Sequence, residues 1–376
     1  MSAAPMPADS ALFGNRETLD VSRAVSELQA RRPVRVSGPD ESLIALPVEG
    51  LDGERLREFA VLSSPAVPTL IVTQQRARVL GIETSTPMTL SLPHAIDASG
   101  IFELAAGSKS RFAGAAQAAS YAAQAAIRLV KLARGVPAIL AAQAPAPVGE
   151  AIQSISVVDA DAVNRFGVDT MGPLVQASEA SIPLASGALA RFVVFRDVLG
   201  GDQVAIIVGK PGPSNPVPVR LHSACLTGDV FGSRRCDCGD QLQLAIARLE
   251  ALGGGVILYL AQEGRGIGLA NKMRAYQLQD GGLDTRDANT TLGFEDDERD
   301  YTMAALMLRA LDYTRIVLLT NNPAKLDGLA KAGIEITARV PLEAPITPHN
   351  KRYLTTKAVR SGHKLVTLKT SSNETS

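Results

Sequence analysis

Gln241–Asp280 reads QLQLAIARLEALGGGVILYLAQEGRGIGLANKMRAYQLQD, and this stretch decides the fold class. Leu242, Ala245, Leu249 and Leu252 lie along one side of its first segment, the spacing of a helix. GVILYLA is an apolar run of strand length, read as a buried strand. It runs into QEGRGIGLANK, which sets Gly264, Gly266 and Gly268 between that strand and a second helix, GLANKMRAYQLQDGG. The alternation continues outward. QVAIIVG and VPVRLHS read as strands upstream; TMAALMLRALD reads as a helix, RIVLLT as a strand, PAKLDGLAKAG as a helix with Pro323 in its first turn, and IEITARV as a final strand. Such an order predicts an α/β layered domain with a largely parallel sheet.

The preceding region also alternates. VSRAVSELQARRP predicts a helix with Val21, Val25 and Leu28 on one face, SLIALPV and TLIVT predict strands, and GAAQAASYAAQAAIRLVKLARG predicts one long helix closed by Gly135. A chain of 376 residues is long for one domain. Composition softens between Pro145 and Ser186, so two α/β domains are expected at 21–185 and 186–368, with a mobile stretch at 1–20 and a disordered tail at 369–376.

Apolar residues make up 46% and charged residues 20%, enough to build buried cores and to exclude wholesale disorder. Lys+Arg and Asp+Glu are 38 each, a balance that argues against nucleic-acid or membrane-surface binding by bulk charge. No stretch approaches the roughly 18 apolar residues of a membrane span, and the N-terminal sequence lacks the pattern of a secretory signal. Three cysteines are a poor disulfide framework, so the cytoplasm is the expected compartment.

All three cysteines fall in HSACLTGDVFGSRRCDCGDQ, as Cys225, Cys236 and Cys238. Three thiolates can hold zinc and leave the fourth tetrahedral position to water, which then ionises near neutral pH. Arg234 and Arg235 nearby favour thiolates. The competing readings are buried free thiols or a closed structural site with His222 as fourth ligand. The His-x-Glu and Pro-Cys-x-x-Cys signature of zinc nucleobase deaminases is absent.

The glycine loop, helped by Arg265 and Lys272, suits a phosphate; its competing reading is a tight turn that packs helix on strand. It matches neither the dinucleotide fingerprint nor the P-loop. In LGFEDDERDY, acidic residues precede a helix: either they complement its dipole, or one takes a proton from water while Arg299 meets a phosphate. LLTNNPAK resembles a strand end that delivers Thr320 and Lys325 to a polar ligand.

Taken in order, RLHSACLTGDVFGSRRCDCGDQL, QEGRGIGLANKMRAYQLQD, LGFEDDERDY and LLTNNPAK resemble GTP cyclohydrolase II, the first committed enzyme of riboflavin synthesis, over about residues 190–368. The resemblance implies zinc on Cys225, Cys236 and Cys238. It implies GTP contacts at Arg220, Leu221, His222, Ser223, Gln241, Glu263, Gly264, Arg265, Thr285, Thr320 and Lys325, with Glu263 or Gln241 reading the guanine edge. Asp297 matches the proton acceptor, Arg299 the residue labelled nucleophile, and Tyr276 the aromatic residue of late hydrolysis. Magnesium with the phosphates and a homodimer are further implications. An always-protonated guanidinium is a poor nucleophile, so Arg299 is expected to act by charge and position. Ala224 stands where the family usually has glutamate, and Thr290 where it usually has histidine.

The N-terminal half faintly resembles 3,4-dihydroxy-2-butanone 4-phosphate synthase, often fused ahead of this enzyme. SGPDESLIALPVEG replaces that enzyme's acidic loop, and Ala122, Ala123 and Gln124 replace its His-Thr-Glu. A two-metal site cannot be built without those groups, so the half is expected to be catalytically inactive and kept for packing, dimer formation or regulation. His94 is its one histidine. A contrasting reading of the whole chain is a GTP-binding regulatory or scaffolding homologue without turnover; another is a related cyclohydrolase that stops at the formamide intermediate.

Overall fold

The structure, a computed structural model, describes residues 14–108, 110–145, 153–167, 174–212 and 215–342. The chain divides into two compact units, Met1–Met171 with Ala270–Glu298, and Gly172–Leu269 with Arg299–Ser376. Each is built on a seven-stranded sheet.

In the first unit the strands are β1 (Val34–Ser37), β2 (Ser42–Pro47), β3 (Thr69–Val72), β4 (Met88–Ser91), β5 (Ala116–Ala118), β6 (Ala138–Gln143) and β7 (Ser156–Asp159). Their order is β5-β4-β3-β6-β2-β1-β7, antiparallel except for β1 with β7. The helix expected over 114–135 forms only at Tyr121–Leu132, capped by the Ser120 hydroxyl; Ala116–Ala118 ahead of it is edge strand β5, paired to β4. An alanine run permits helix everywhere, and here the Ser120 cap and the sheet edge set where it starts. Arg16–Asp20 were expected to be mobile. They form the first turns of helix Arg16–Gln29, whose Thr18 amide donates to the Asn15 side chain and whose Val21, Ala24, Val25 and Leu28 are buried. Residues 1–13 and the tail 369–376 lie outside the described residues.

In the second unit the strands are β8 (Val175–Pro183), β9 (Leu189–Arg196), β10 (Asp202–Gly209), β11 (Val217–Ser223), β12 (Gly254–Leu260), β13 (Arg315–Leu319) and β14 (Glu335–Val340), in the order β14-β13-β11-β12-β10-β9-β8. The layered α/β class holds, and the sheet is mixed. β14, β13, β11 and β12 run parallel to their neighbours, whereas β12, β10, β9 and β8 pair antiparallel. β8–β9 and β9–β10 are joined by short connections, which suffice for hairpins but cannot carry a parallel crossover, whereas β10 meets β12 only after the chain has passed through β11 and helix Cys238–Ala251. β8 pairs with β9, so the second sheet begins ahead of residue 186.

Two cores cover the two faces of this sheet. Val219, Leu221, Val256, Leu258 and Leu318 pack with Ala304, Ala305, Met307, Leu308 and Leu329 from helices Thr302–Ala310 and Pro323–Lys331. On the other face Ile206, Val208 and Ile257 pack with Ala245 and Leu249 of helix Cys238–Ala251. The strand period of two therefore sends Val217, Val219 and Leu221 into the first core and Arg220 and His222 to the opposite face, all of them buried. Replacing Leu258, fully buried in the first core, by Ala is expected to destabilise the chain by about 2–5 kcal/mol. Urea unfolding reads this as a lower midpoint at unchanged slope.

Candidate metal centre

β13, β11 and β12 are parallel neighbours, so their carboxyl ends open on the same edge of the sheet. In α/β sheets that edge is where ligands bind. Cys225 follows β11, the glycine loop follows β12, and Thr320 with Lys325 follows β13.

Cys225, Cys236 and Cys238 bring their sulfurs within 4.8 Å of one another, with Cys225 Sγ 3.7 Å from Cys236 Sγ and no disulfide formed. Zinc–thiolate bonds of about 2.3 Å in a tetrahedron imply a sulfur–sulfur edge of about 3.8 Å, so the thiols fit a zinc ion. Among the described residues these three form the only such group, and His222 is not part of it. That arrangement favours three protein ligands over the closed site. Neighbouring Cys225 foremost, then burial, holds the Cys236 thiol above its usual range.

Local backbone makes the cluster. A π-turn, Leu226–Val230, carries Gly228 directly against the sulfurs. A Cβ there would lie 2.8 Å from Cys236 Sγ, 3.0 Å from Cys238 Cβ and 3.1 Å from Cys225 Sγ. Only hydrogen fits. Cys238 opens helix Cys238–Ala251, which puts its sulfur at the positive end of the helix dipole.

Asp229 organises the turn. Its carboxylate accepts from Cys225 N–H at 2.9 Å, from the Tyr259 hydroxyl at 2.9 Å and from His222 Nε2 at 3.1 Å. His222 and Tyr259 are register partners across β11 and β12, and their rings stack 5.5 Å apart. Burial outweighs the attraction of Asp229 and lowers the His222 pKa, and Nε2 is the ring nitrogen that faces the carboxylate. Its Nδ1 is buried without a hydrogen-bond partner. Motif reading missed Gly228, Asp229 and Tyr259. The available signal was β11 itself, a core strand with Arg220 and His222 at inward positions, where such side chains require partners.

The other expected residues of this unit are tightly tied. Arg220 donates to the Leu319 carbonyl at 3.1 Å and to Gln241, and burial lowers its pKa to about 10 against the attraction of Asp237 and Cys238. The Arg299 charge also reaches it, and the Arg299 guanidinium lies 5.9 Å from the Tyr301 ring centroid. Ser223 Oγ accepts from Gln262, Thr320 Oγ1 accepts from Asn322 N–H, and Lys325 Nζ donates to the Leu221 carbonyl at 2.6 Å.

Glu263 accepts from the Leu226 amide at 2.7 Å and the Gly264 amide at 3.2 Å, which ties the glycine loop to the cysteine turn. Gln241 joins Arg220 to Asp237. Both candidates for reading a guanine edge therefore already hold protein groups. The expected amide cradle also differs: Gly266 N–H donates to Gln262 O and Gly268 N–H to Glu263 O. Left-handed backbone at Gly264, Arg265 and Gly266 folds the loop back on itself.

Tyr276, Thr285 and Asp297 belong to the first unit. Tyr276 lies on helix Leu269–Asp280 with Lys272 Nζ 5.7 Å from its ring centroid, Thr285 opens helix Thr285–Thr291, and Asp297 is exposed. His94 is exposed and outside any metal-ligand group among the described residues. No helix among those residues is long and apolar enough to cross a membrane.

Gly228→Ala is expected to push the sulfurs apart and lower zinc bound per chain about tenfold at an unchanged circular-dichroism spectrum. Wild-type zinc content in that variant contradicts the geometry.

The family model of GTP cyclohydrolase II matches residues 175–341. A GTP cyclohydrolase-2 of Azospirillum brasilense is 42% identical over 359 residues, covering 91% of this chain and 93% of its own. One from Xylella fastidiosa is 42% identical over 360 residues, covering 94% and 89%. A GTP cyclohydrolase-2 of Azotobacter vinelandii is 48% identical over 195 residues, covering 52% of this chain and 94% of its own. A crystal structure of a two-domain 3,4-dihydroxy-2-butanone 4-phosphate synthase from A. baumannii covers 86% of this chain at 14% identity and a TM-score of 0.33, too low to show a shared fold. On the strength of relatives that match along nearly its whole length, this chain belongs to the GTP cyclohydrolase II family.

Proposed function

We propose that this chain hydrolyses GTP to a diaminopyrimidine ribosylamine phosphate, formate and pyrophosphate, the entry reaction of riboflavin synthesis. The observation that carries this reading is the cysteine cluster at zinc spacing on the ligand-binding edge of a family-matched domain. A protein that only bound GTP would have no need of it, and the regulatory reading is not favoured.

Cys225, Cys236 and Cys238 would hold zinc, which supplies the Lewis acidity that makes water nucleophilic near neutral pH. The guanine carbon between two ring nitrogens then takes up two waters in turn and leaves as formate. Asp297 accepts a proton from water. A further water adds to the α-phosphorus as its bond to pyrophosphate breaks, and Arg299 stabilises the negative charge that develops there, a role suited to a permanent cation. Arg265 and Lys325 hold phosphate oxygens, where a bound magnesium ion would add further positive charge. Tyr276 acts in the late hydrolysis, while Arg220 to Ser223, Thr285 and Thr320 orient the nucleotide.

Ala224 removes a carboxylate that the family usually places beside the first cysteine. Asp229 still supplies one in this turn, on the Cys225 amide, so turnover is expected without Glu at 224. The N-terminal half we read as a degenerate synthase domain without its own chemistry. Cytoplasmic location and a homodimer complete the proposal.

Cys236→Ser is expected to lower bound zinc and formate production together; formate made without zinc contradicts the metal assignment. Arg299→Ala is expected to slow pyrophosphate release by about 10²–10³-fold at wild-type zinc content. Unchanged release removes Arg299 from the reaction.

A further inference from the structure

Residues 270–298 lie inside the family-matched region, yet they pack as part of the first unit. The contacts are specific. Arg76, fully buried on helix Gln74–Val79, donates through Nε to the Leu104 carbonyl at 2.7 Å and through Nη2 to the Glu103 carbonyl at 2.7 Å. Its Nη1 donates to the Thr291 carbonyl at 2.8 Å. These acceptors sit at the C-terminal ends of helices Ala98–Ala106 and Thr285–Thr291, where the dipole favours a cation, and Glu103 O also accepts from the capping Gly107 amide.

Beside it the Thr73 hydroxyl donates to the Gly293 carbonyl at 2.7 Å. Gly293 has a φ of +94°, and a Cβ on it would lie 2.9 Å from Thr73 Oγ1, so the approach requires glycine. Further along, Asn271 Nδ2 donates to the Arg134 carbonyl at 2.9 Å, Arg274 pairs with Glu49 at 2.6 Å, and Lys131 pairs with Glu298 at 2.6 Å. The segment is thus anchored at both ends and in the middle by residues from the N-terminal half.

We infer that the N-terminal half is the positioning scaffold of the GTP-handling segment 270–298, with Arg76 as its central positioning residue. The inference rests on the roles proposed for Tyr276, Thr285 and Asp297, all carried by that segment. It gives a domain without its own chemistry a defined task, namely to fix helix Thr285–Thr291 and the acidic stretch that follows.

The test uses the full chain with Arg76→Met, the milder Thr73→Val, which keeps side-chain shape, and Arg76→Lys, which restores a cation. Amide exchange of 285–298 is expected to accelerate about tenfold in the first two, while β11, β12 and bound zinc stay as in the wild type. Formate kcat is expected to fall about tenfold, with partial recovery in Arg76→Lys. Unchanged exchange in folded variants overturns the inference. So does faster exchange at unchanged turnover, or faster exchange throughout with loss of zinc, which marks a merely structural role. A wild-type chain that makes no formate defeats the proposed function instead. The scaffold is then judged by exchange alone, faster local exchange supporting it and unchanged exchange overturning it.

Discussion

Three sulfurs converge at metal-binding spacing because Gly228 carries no side chain. Its backbone fills the space that any Cβ would contest with Cys225, Cys236 and Cys238. Once the π-turn Leu226–Val230 holds that glycine in place, other features follow. The Cys225 amide faces Asp229, the Leu226 amide faces Glu263, and Glu263 in turn closes the glycine loop. One tight turn thereby couples the ends of β11 and β12, and Lys325 and Arg220 tie in the end of β13 through the Leu221 and Leu319 carbonyls.

Such an edge is costly to build. Arg220, His222, Asp237, Glu263, Thr320 and Lys325 are all buried, and each buried polar group needs a partner to offset its lost hydration. Most have found one; Arg220 Nε and His222 Nδ1 remain buried and unsatisfied. The surrounding cores of Val, Leu, Ile and Ala supply the stability, and they are placed on both faces of the sheet by simple strand alternation.

Much of this was legible in the sequence where local physics decides the outcome. The strand–loop–helix at Gly254–Asp280 and the Pro323 helix start reappear as expected, as does the cysteine cluster with its zinc-compatible spacing. What was not legible depends on distant partners. The antiparallel half of the second sheet is a pairing choice that no single strand encodes. The closed hydrogen bonding of the glycine loop depends on Gln262 and Glu263 carbonyls, which a motif of glycines does not reveal. Nor does any motif signal that Thr291 and Gly293 answer to Arg76 and Thr73, more than two hundred residues away in the chain.

The two halves of the chain thus differ in kind. The second unit carries the cysteine cluster at metal-ligand spacing, and the first holds residues 270–298, which lie inside the family-matched region. The most direct test is to incubate the zinc-loaded full chain with GTP and magnesium and identify the products by mass spectrometry. The account predicts formate, pyrophosphate and the diaminopyrimidine ribosylamine phosphate in equal amounts. Intact GTP, recovered from protein that binds both zinc and the nucleotide, would contradict it.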